Sequence, residues 1–367
     1  MLIEAVSQLA ALRRMRDLET VTIRFDDRQF SGNLPLYVIK SGLWALRPGG
    51  TLTLHAPNLL DSMVLKPGRL PFQLLVQLAA RVSEGWATFT GVDVAARRLV
   101  LQRTAPSMAE GWSAGIVFSG NAQEVPTLAL CLQGLLAQPE LVASGDIVVC
   151  GPAAGESLLP TRDGIRYLVY ETPSEAGRFL VGRKKNVLLR ALRHERALIC
   201  HTRVVLRPGA IAALPAEFDL ITPKVFVQGH KAILPYLDLG FMGLTTISMT
   251  GKGDQPPIYY ARERWHDYLR RFYPYVDGGL FCVRRNLALS VPMHNRIAWG
   301  EGEDAEWCLR LLNQGHLVEL ATNPQAAADS ITCKIPRYAK FGRRWSYRFF
   351  SQVWRKSRTH FAGLVGN

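Results

Sequence analysis

Several things are scarce or missing in this 367-residue chain. Its six cysteines (Cys131, Cys150, Cys200, Cys282, Cys308 and Cys333) lie far apart and form no Cys-x-x-Cys pair. Some sit in apolar runs such as Ile147-Val148-Val149-Cys150, where a thiol behaves as a small buried hydrophobe. That pattern argues against a disulfide framework or a zinc ribbon and sets the expectation of a reducing, cytoplasmic setting. No stretch approaches the ~18 apolar residues that would cross a bilayer. The start, Met1-Leu2-Ile3-Glu4, lacks the basic-then-apolar pattern of a signal peptide. The expectation is a protein that is soluble or lies on a membrane without crossing it. Two local absences matter later: no glycine precedes Thr20, and no Asp or Glu lies between Ile331 and Asn367.

What is present can bury a core. Hydrophobic residues make up 48% and charged residues 20%, which excludes a disordered or fibrous chain. The length suggests two domains, with a single large one as the alternative. Lys and Arg number 44 against 30 Asp and Glu, a net charge of +14, which points to an anionic partner: nucleotide, nucleic acid or membrane surface. Nine of the cations lie in residues 331–367, so most of the excess belongs to a basic tail.

The pattern divides the chain at 1–106, 107–112, 113–330 and 331–367. The first segment ends in Leu99-Val100-Leu101-Gln102-Arg103-Thr104-Ala105-Pro106, a strand stopped by proline. Residues 107–112 form a short linker containing Gly111. Within the first segment, Thr20 to Phe25 reads as a strand and Leu34 to Leu46 as a helix. Arg47-Pro48-Gly49-Gly50 reads as a turn, Thr51 to His55 as a second strand, and a further helix runs from Pro71 to Val82. This helix, "LRPGG", strand order resembles the C-terminal half of a Rossmann-like, S-adenosylmethionine-dependent methyltransferase. Such enzymes hold the cofactor on a glycine-rich turn after their first strand, which lets backbone N–H groups approach it. With no glycine before Thr20, the expectation is a truncated methyltransferase-like fold used for packing or docking.

From Ser113 short apolar strands alternate with helices, the pattern of a mainly parallel α/β sheet. Ala114 to Phe118 leads into Ser119-Gly120-Asn121, and Asp146 to Cys150 leads into Gly151-Pro152. Loops at the carboxyl ends of parallel strands line ligand pockets, which makes Ser119 and Asn121 candidates. Gly182-Arg183-Lys184-Lys185-Asn186 opens a helix, where a bound phosphate would use free N–H groups and relieve repulsion between cations and the helix dipole. A solvated basic turn is the alternative. Ala197-Leu198-Ile199-Cys200 runs into His201-Thr202-Arg203, either a strand edge facing a site or a structural His–Arg pair. Asp277-Gly278-Gly279-Leu280-Phe281-Cys282-Val283-Arg284-Arg285 reads as a turn into a strand. Trp299-Gly300-Glu301-Gly302-Glu303-Asp304 leads into a helix that closes at Gly315. Acids at a helix start suit the dipole, while a glycine-flanked acid also has the backbone freedom and access that a general base requires.

In that order, "RKKN", "HTR", "DGGLFCVRR" and "WGEGEDAEWCLRLLNQGH" resemble the family 2 glycosyltransferases of GT-A fold, over about residues 112–323. "GG…VRR…WGEGED" is also similar to the acceptor side of the β-1,4-galactosyltransferases. The resemblance implies an α/β nucleotide-diphospho-sugar transferase domain and transfer of a sugar from a nucleotide-sugar to an acceptor hydroxyl with inversion. It implies Asp304 as base, with Glu303 orienting acceptor or loop. Asp277, Gly278, Gly279, Trp299 and Glu301 would lie near donor sugar and acceptor, and Lys184, Lys185, Asn186, Ser119 and Asn121 on the donor side. Such enzymes carry Asp-x-Asp for Mn²⁺ or Mg²⁺ where this chain has His201-Thr202-Arg203. The expectation is therefore metal-independent transfer, with Arg203 and His201 on the diphosphate and a metal held elsewhere as the alternative.

The tail interleaves its cations with Tyr338, Phe341, Trp345, Tyr347, Phe349, Phe350, Trp354 and Phe361. Such a segment suits an anionic membrane face, and with it a glycan or lipid-linked acceptor in surface polysaccharide or lipopolysaccharide synthesis. The same interleaving suits single-stranded nucleic acid by stacking and phosphate contacts, which keeps a nucleic-acid-modifying transferase as the runner-up. A non-catalytic scaffold built from two decayed enzyme folds is the third class.

Overall fold

Along Leu18–Arg24 the buried residues Val21 and Ile23 alternate with more exposed neighbours, the period of a strand with one face on a core. The computed structural model in which this strand lies describes residues 1–3, 8–25, 34–59, 71–159, 163–171, 174–175, 178–227, 276, 278–299 and 302–331. The N-terminal unit contains β1 (Leu2–Ile3), α1 (Leu9–Leu12), β2 (Leu18–Arg24), α2 (Leu34–Ala45), β3 (Leu46–His55), α3 (Phe72–Ser83), β4 (Ala87–Asp93) and β5 (Arg98–Arg103). Its sheet runs β1-β2-β3-β5-β4, with the first three strands parallel and β5 and β4 antiparallel to their neighbours. One expected boundary is corrected. Arg47-Pro48-Gly49-Gly50 does not link helix to strand but lies within β3, where the pairing with β2 jumps from Leu18↔Leu46 to Thr20↔Thr51. Arg47, Pro48 and Gly49 are the exposed part of this bulge, and Gly50 is buried where the strand resumes.

Trp112, expected as the last linker residue, is the first residue of β6 (Trp112–Val117). Then follow α4 (Val125–Leu136), α5 (Pro139–Ser144), β7 (Ile147–Gly151), β8 (Ile165–Val169), β9 (Ser174–Glu175), β10 (Arg178–Phe179), α6 (Val181–Ala191), β11 (Arg196–His201), β12 (Val204–Leu206), β13 (Leu220–Thr222) and β14 (Lys224–Val227). The last described elements are β15 (Leu280–Arg284), α7 (Arg285–Ser290), α8 (Glu303–Asn313), β16 (Val318–Leu320) and β17 (Ala327–Ser330). Every residue of β6 and β7 is buried, as in strands covered on both faces. The main sheet runs β16-β13-β15-β11-β6-β7-β8, and among these strands only β15 opposes the rest. The chain is thus a mixed α/β protein, the expected class. The reversal of β15 brings its starting residues beside the carboxyl end of β11, and this positions the candidate site.

The two units share a buried, charged contact that sequence patterning did not reveal. Arg13 donates to both carboxylate oxygens of Glu319, at 3.0 and 2.6 Å. Lys40 Nζ lies 3.1 Å from Asp219 Oδ2, and Arg103 Nη2 lies 3.2 Å from Glu217 Oε1. All six side chains are buried. Trp44 and Trp86 pack into the same contact, with the Arg13 guanidinium 4.2 Å from the Trp44 ring centre and that of Arg284 4.5 Å from the Trp86 ring centre.

His316 borders this cluster, 3.9 Å from Asp219 Oδ2. Burial pulls its imidazole down to about 4; Asp219 opposes this, while Lys40 and Arg284 add to it. The unfolded chain would take up that proton near 6.5, so folding is linked to keeping His316 neutral. The stability tied to His316 is complete above about pH 6.5 and is lost as pH falls toward 4, by at most about 3 kcal/mol. Urea midpoints of native protein and His316→Gln between pH 7 and 4.5 check this: the native midpoint should fall more steeply with acid than that of the variant.

Candidate active site

Three segments meet at the carboxyl ends of β6 and β11. After β6, Ser119-Gly120-Asn121 turns into a short 3₁₀ segment, Ala122–Glu124. The Asn121 side chain accepts from the Gln123 backbone N–H at 2.9 Å, and Ser119 Oγ accepts from the Asn121 N–H at 3.2 Å. Glu124, which sequence reasoning passed over, ties this loop to its neighbour. Its Oε2 accepts from the Ser119 N–H at 3.3 Å and from Thr202 Oγ1 at 3.4 Å. The available signal was an acid five residues beyond Ser119, immediately before an amphipathic helix.

The second segment is the turn His201-Thr202-Arg203 between β11 and β12. The Arg203 carbonyl accepts from the Ile331 N–H at 2.9 Å, and the His201 N–H donates to the Gly279 carbonyl at 3.0 Å. Arg203 Nη1 donates to His201 Nδ1 at 2.7 Å. A guanidinium has no acceptor, so Nδ1 takes part through its lone pair. Arg203 Nε and Nη2 are buried and have no hydrogen-bond partner among the described residues. These two nitrogens form one edge of the guanidinium, the edge that grips two oxygens of a phosphate or carboxylate at once.

This turn does not fit a divalent cation. Hard ions take oxygen ligands, and the turn offers one hydroxyl, an imidazole nitrogen already engaged by Arg203, and a permanent positive charge. Glu124 is the carboxylate bonded to it, at Thr202. Among the described residues no cluster of three or more His, Cys, Asp or Glu side chains could hold a metal.

The third segment pairs the residues just before β15 with the first turn of α8. Gly302, at φ 84°, starts α8 in a left-handed conformation open to few residues besides glycine, and Glu303 and Asp304 follow in the first turn. Asp304 Oδ2 accepts from the Gly278 N–H at 2.8 Å, and Oδ1 accepts from the Ala305 N–H at 2.9 Å. Glu303 Oε1 lies 3.2 Å from Lys185 Nζ, a buried pair with the ammonium 5.9 Å from the Phe281 ring centre. A side chain at position 278 would strike Lys185 Nζ and press on the Glu303 carboxylate at 3.2 Å, so it would have to displace the ammonium from its partner. Trp299, 44% exposed, precedes this loop, and its N–H donates to the Phe179 carbonyl at 2.8 Å.

One expected feature stands differently. Lys184, Lys185 and Asn186 lie in the first turns of α6, but their side chains point inward rather than toward a ligand at the helix start. The reason is helical phase: Val181, Lys184, Lys185, Leu188 and Leu189 recur at the spacing of one buried face. Lys184 Nζ donates to the Phe118 carbonyl at 2.5 Å, directly beneath the Ser119 loop, and burial lowers its pKa. Asn186 accepts from the Met293 N–H at 3.0 Å and donates to the Met293 carbonyl at 2.8 Å, fastening α6 to the loop after α7. Asp277, Glu301 and the tail from residue 332 lie outside the described residues. The structure therefore brings together Ser119, Asn121, His201, Arg203, Gly278, Gly279, Glu303 and Asp304.

No family model matches the chain, and no curated protein matches it. Among solved structures it is similar to residues 1–349 of TarS from S. aureus, at 11% identity over 60% of each chain and a TM-score of 0.39. It is similar to the mannosyltransferase PcManGT from Pyrobaculum calidifontis, solved with GDP-Man and Mn²⁺, at 12% identity over 68% of each chain and a TM-score of 0.42. A third is the Drosophila β-1,4-galactosyltransferase 7 solved with manganese, UDP-Gal and xylobiose, at 14% identity over 62% of this chain and 73% of that one, with a TM-score of 0.34. The chain spans 60% of the length of the TarS structure.

Proposed function

We propose that this chain is a glycosyltransferase that moves a sugar from a nucleotide-sugar donor to an acceptor hydroxyl, with residues 113–330 as a GT-A-type catalytic unit. One observation carries the reading. Gly278 bonds to Asp304 and Gly279 bonds to His201, so a carboxylate and the turn holding Arg203 flank one two-residue segment at the strand ends. Asp304 takes the proton of the acceptor hydroxyl as that oxygen bonds to the anomeric carbon. The bond from that carbon to the diphosphate breaks on the opposite face, and the electron pair leaves with the diphosphate oxygen, which inverts the centre. Arg203 meets the developing charge with its Nε–Nη2 edge. Glu303, fixed by Lys185, holds the loop that carries Asp304, and Lys184 adds positive charge beneath the Ser119–Asn121 loop.

The acceptor we assign is a glycan or lipid-linked glycan met at an anionic membrane surface through the basic aromatic tail; a nucleic-acid acceptor is the second reading of the same tail. Residues 1–106 we read as a truncated methyltransferase-like fold that serves packing. The sheet order β1-β2-β3-β5-β4, with antiparallel strands only at one end, and the buried ion pairs to the second unit support that reading.

Turnover measured as nucleoside diphosphate release should persist in EDTA. Arg203→Ala should weaken donor binding by about 100-fold, the worth of two charge-assisted hydrogen bonds, and Arg203→Lys should recover only part of it. Complete loss of activity in EDTA, restored by Mn²⁺, would place a metal on other carboxylates such as Asp277 or Glu301 and overturn the metal-free reading.

A further inference from the structure

We infer that His201 is a positioning residue: its Nδ1 lone pair aims the Arg203 guanidinium so that the Nε–Nη2 edge is presented to the donor diphosphate. The inference rests on the proposed donor site and concerns how that site is held ready.

The backbone of the turn has its own anchors. The His201 N–H is held by the Gly279 carbonyl, Thr202 Oγ1 by Glu124, and the Arg203 carbonyl by the Ile331 N–H. None of these three bonds uses the imidazole. The guanidinium is different. Of its nitrogens, Nε and Nη2 have no partner among the described residues, and Nη1 reaches His201 Nδ1 at 2.7 Å. An arginine side chain has four rotatable bonds, and holding it in one geometry costs rotamer freedom. A single hydrogen bond from Nη1 supplies that fixing and leaves the two-pronged edge unspent. Because Arg only donates, the bond requires Nδ1 unprotonated, with the imidazole proton on Nε2. His201 thus supplies to Arg203 what a carboxylate would, an acceptor, without adding a negative charge that would repel a diphosphate.

The same residue ties both halves of the site together. Its side chain holds Arg203 and its backbone holds Gly279, whose neighbour Gly278 holds Asp304. Replacing the imidazole alone tests the side-chain role and keeps the backbone link.

The test is isothermal calorimetry on the full chain in EDTA with UDP, GDP, ADP and CDP, continued with the nucleotide that binds tightest. His201→Leu, which keeps bulk and removes the acceptor, should weaken binding about tenfold, the worth of one hydrogen bond to a charged group. His201→Asn, whose Oδ1 sits close to the place of Nδ1, should return binding to within about threefold of native. In an Arg203→Ala background, His201→Leu should cost nothing further, because the group it aims is gone. Equal losses from His201→Leu with and without Arg203, or no rescue by Asn, would overturn the positioning role while leaving the transferase reading standing. Unchanged binding in Arg203→Ala, or no nucleotide bound by the native chain, would overturn the proposed donor site itself.

Discussion

Asp304→Asn should leave nucleotide-sugar binding close to native and lower turnover by at least ~100-fold, the lower range for loss of a general base. The substitution is chosen for what it keeps. The amide oxygen it introduces can still accept from the Gly278 N–H, now 2.8 Å from Asp304 Oδ2, so the approach of α8 to the start of β15 is retained. What is lost is the capacity to take a proton. Asp304→Ala is a poorer test, since it also strands the Gly278 N–H and confuses catalysis with stability. The measurement is nucleoside diphosphate release with acceptor present, alongside donor affinity by calorimetry. Near-normal turnover in Asp304→Asn would falsify the assignment of the base.

The second large effect is on stability. Asp219→Ala should destabilise the chain by about 3–5 kcal/mol, a large part of the 5–15 kcal/mol that holds a typical domain folded. Asp219 is completely buried, 3.1 Å from Lys40 Nζ, and it also accepts from the Leu317 N–H at 2.8 Å. Burial pulls the Lys40 pKa down while Asp219 pulls it up, so removing Asp219 leaves an ammonium without its counterion. The paired change Lys40→Met with Asp219→Leu should recover most of the loss, because neither partner then remains as a lone buried charge. Urea unfolding of Asp219→Ala, of Lys40→Met alone and of the double variant decides it. Equal destabilisation in all three would show that packing, not charge, sets the cost.

Much of this could be read in the residues before any coordinates. The strand ending at His201, the glycine pair at 278–279 and the helix from Glu303 follow from apolar runs broken by glycine and acid, and all three stand where the pattern put them. The carboxylates of Asp304 and Glu303 were legible because a glycine-flanked acid at a helix start is unusual. The inward turn of Lys184 and Lys185 was legible in principle, from their spacing with Val181, Leu188 and Leu189, but charge outweighed phase in that reading. The contact between the units was not legible. Arg13 and Glu319 are 306 positions apart, and no local pattern records that a cation at the end of α1 meets a carboxylate on β16. Glu124 falls between these cases: its place before α4 reads as an ordinary helix entry, and only the arrival of Thr202 from β11 makes it a bridge.

The buried pairs between the units also constrain how this chain can change over generations. Arg13, Lys40 and Arg103 contribute three cations from one side, and Glu319, Asp219 and Glu217 three anions from the other. A lineage that discarded the first hundred residues would leave three carboxylates newly facing water or one another. A lineage that exchanged them for a different fold would need a surface of matching charge at three separate places. Either route needs several substitutions at once, each harmful alone. The first hundred residues are therefore held in the chain by charge, because three buried carboxylates beyond them depend on their cations.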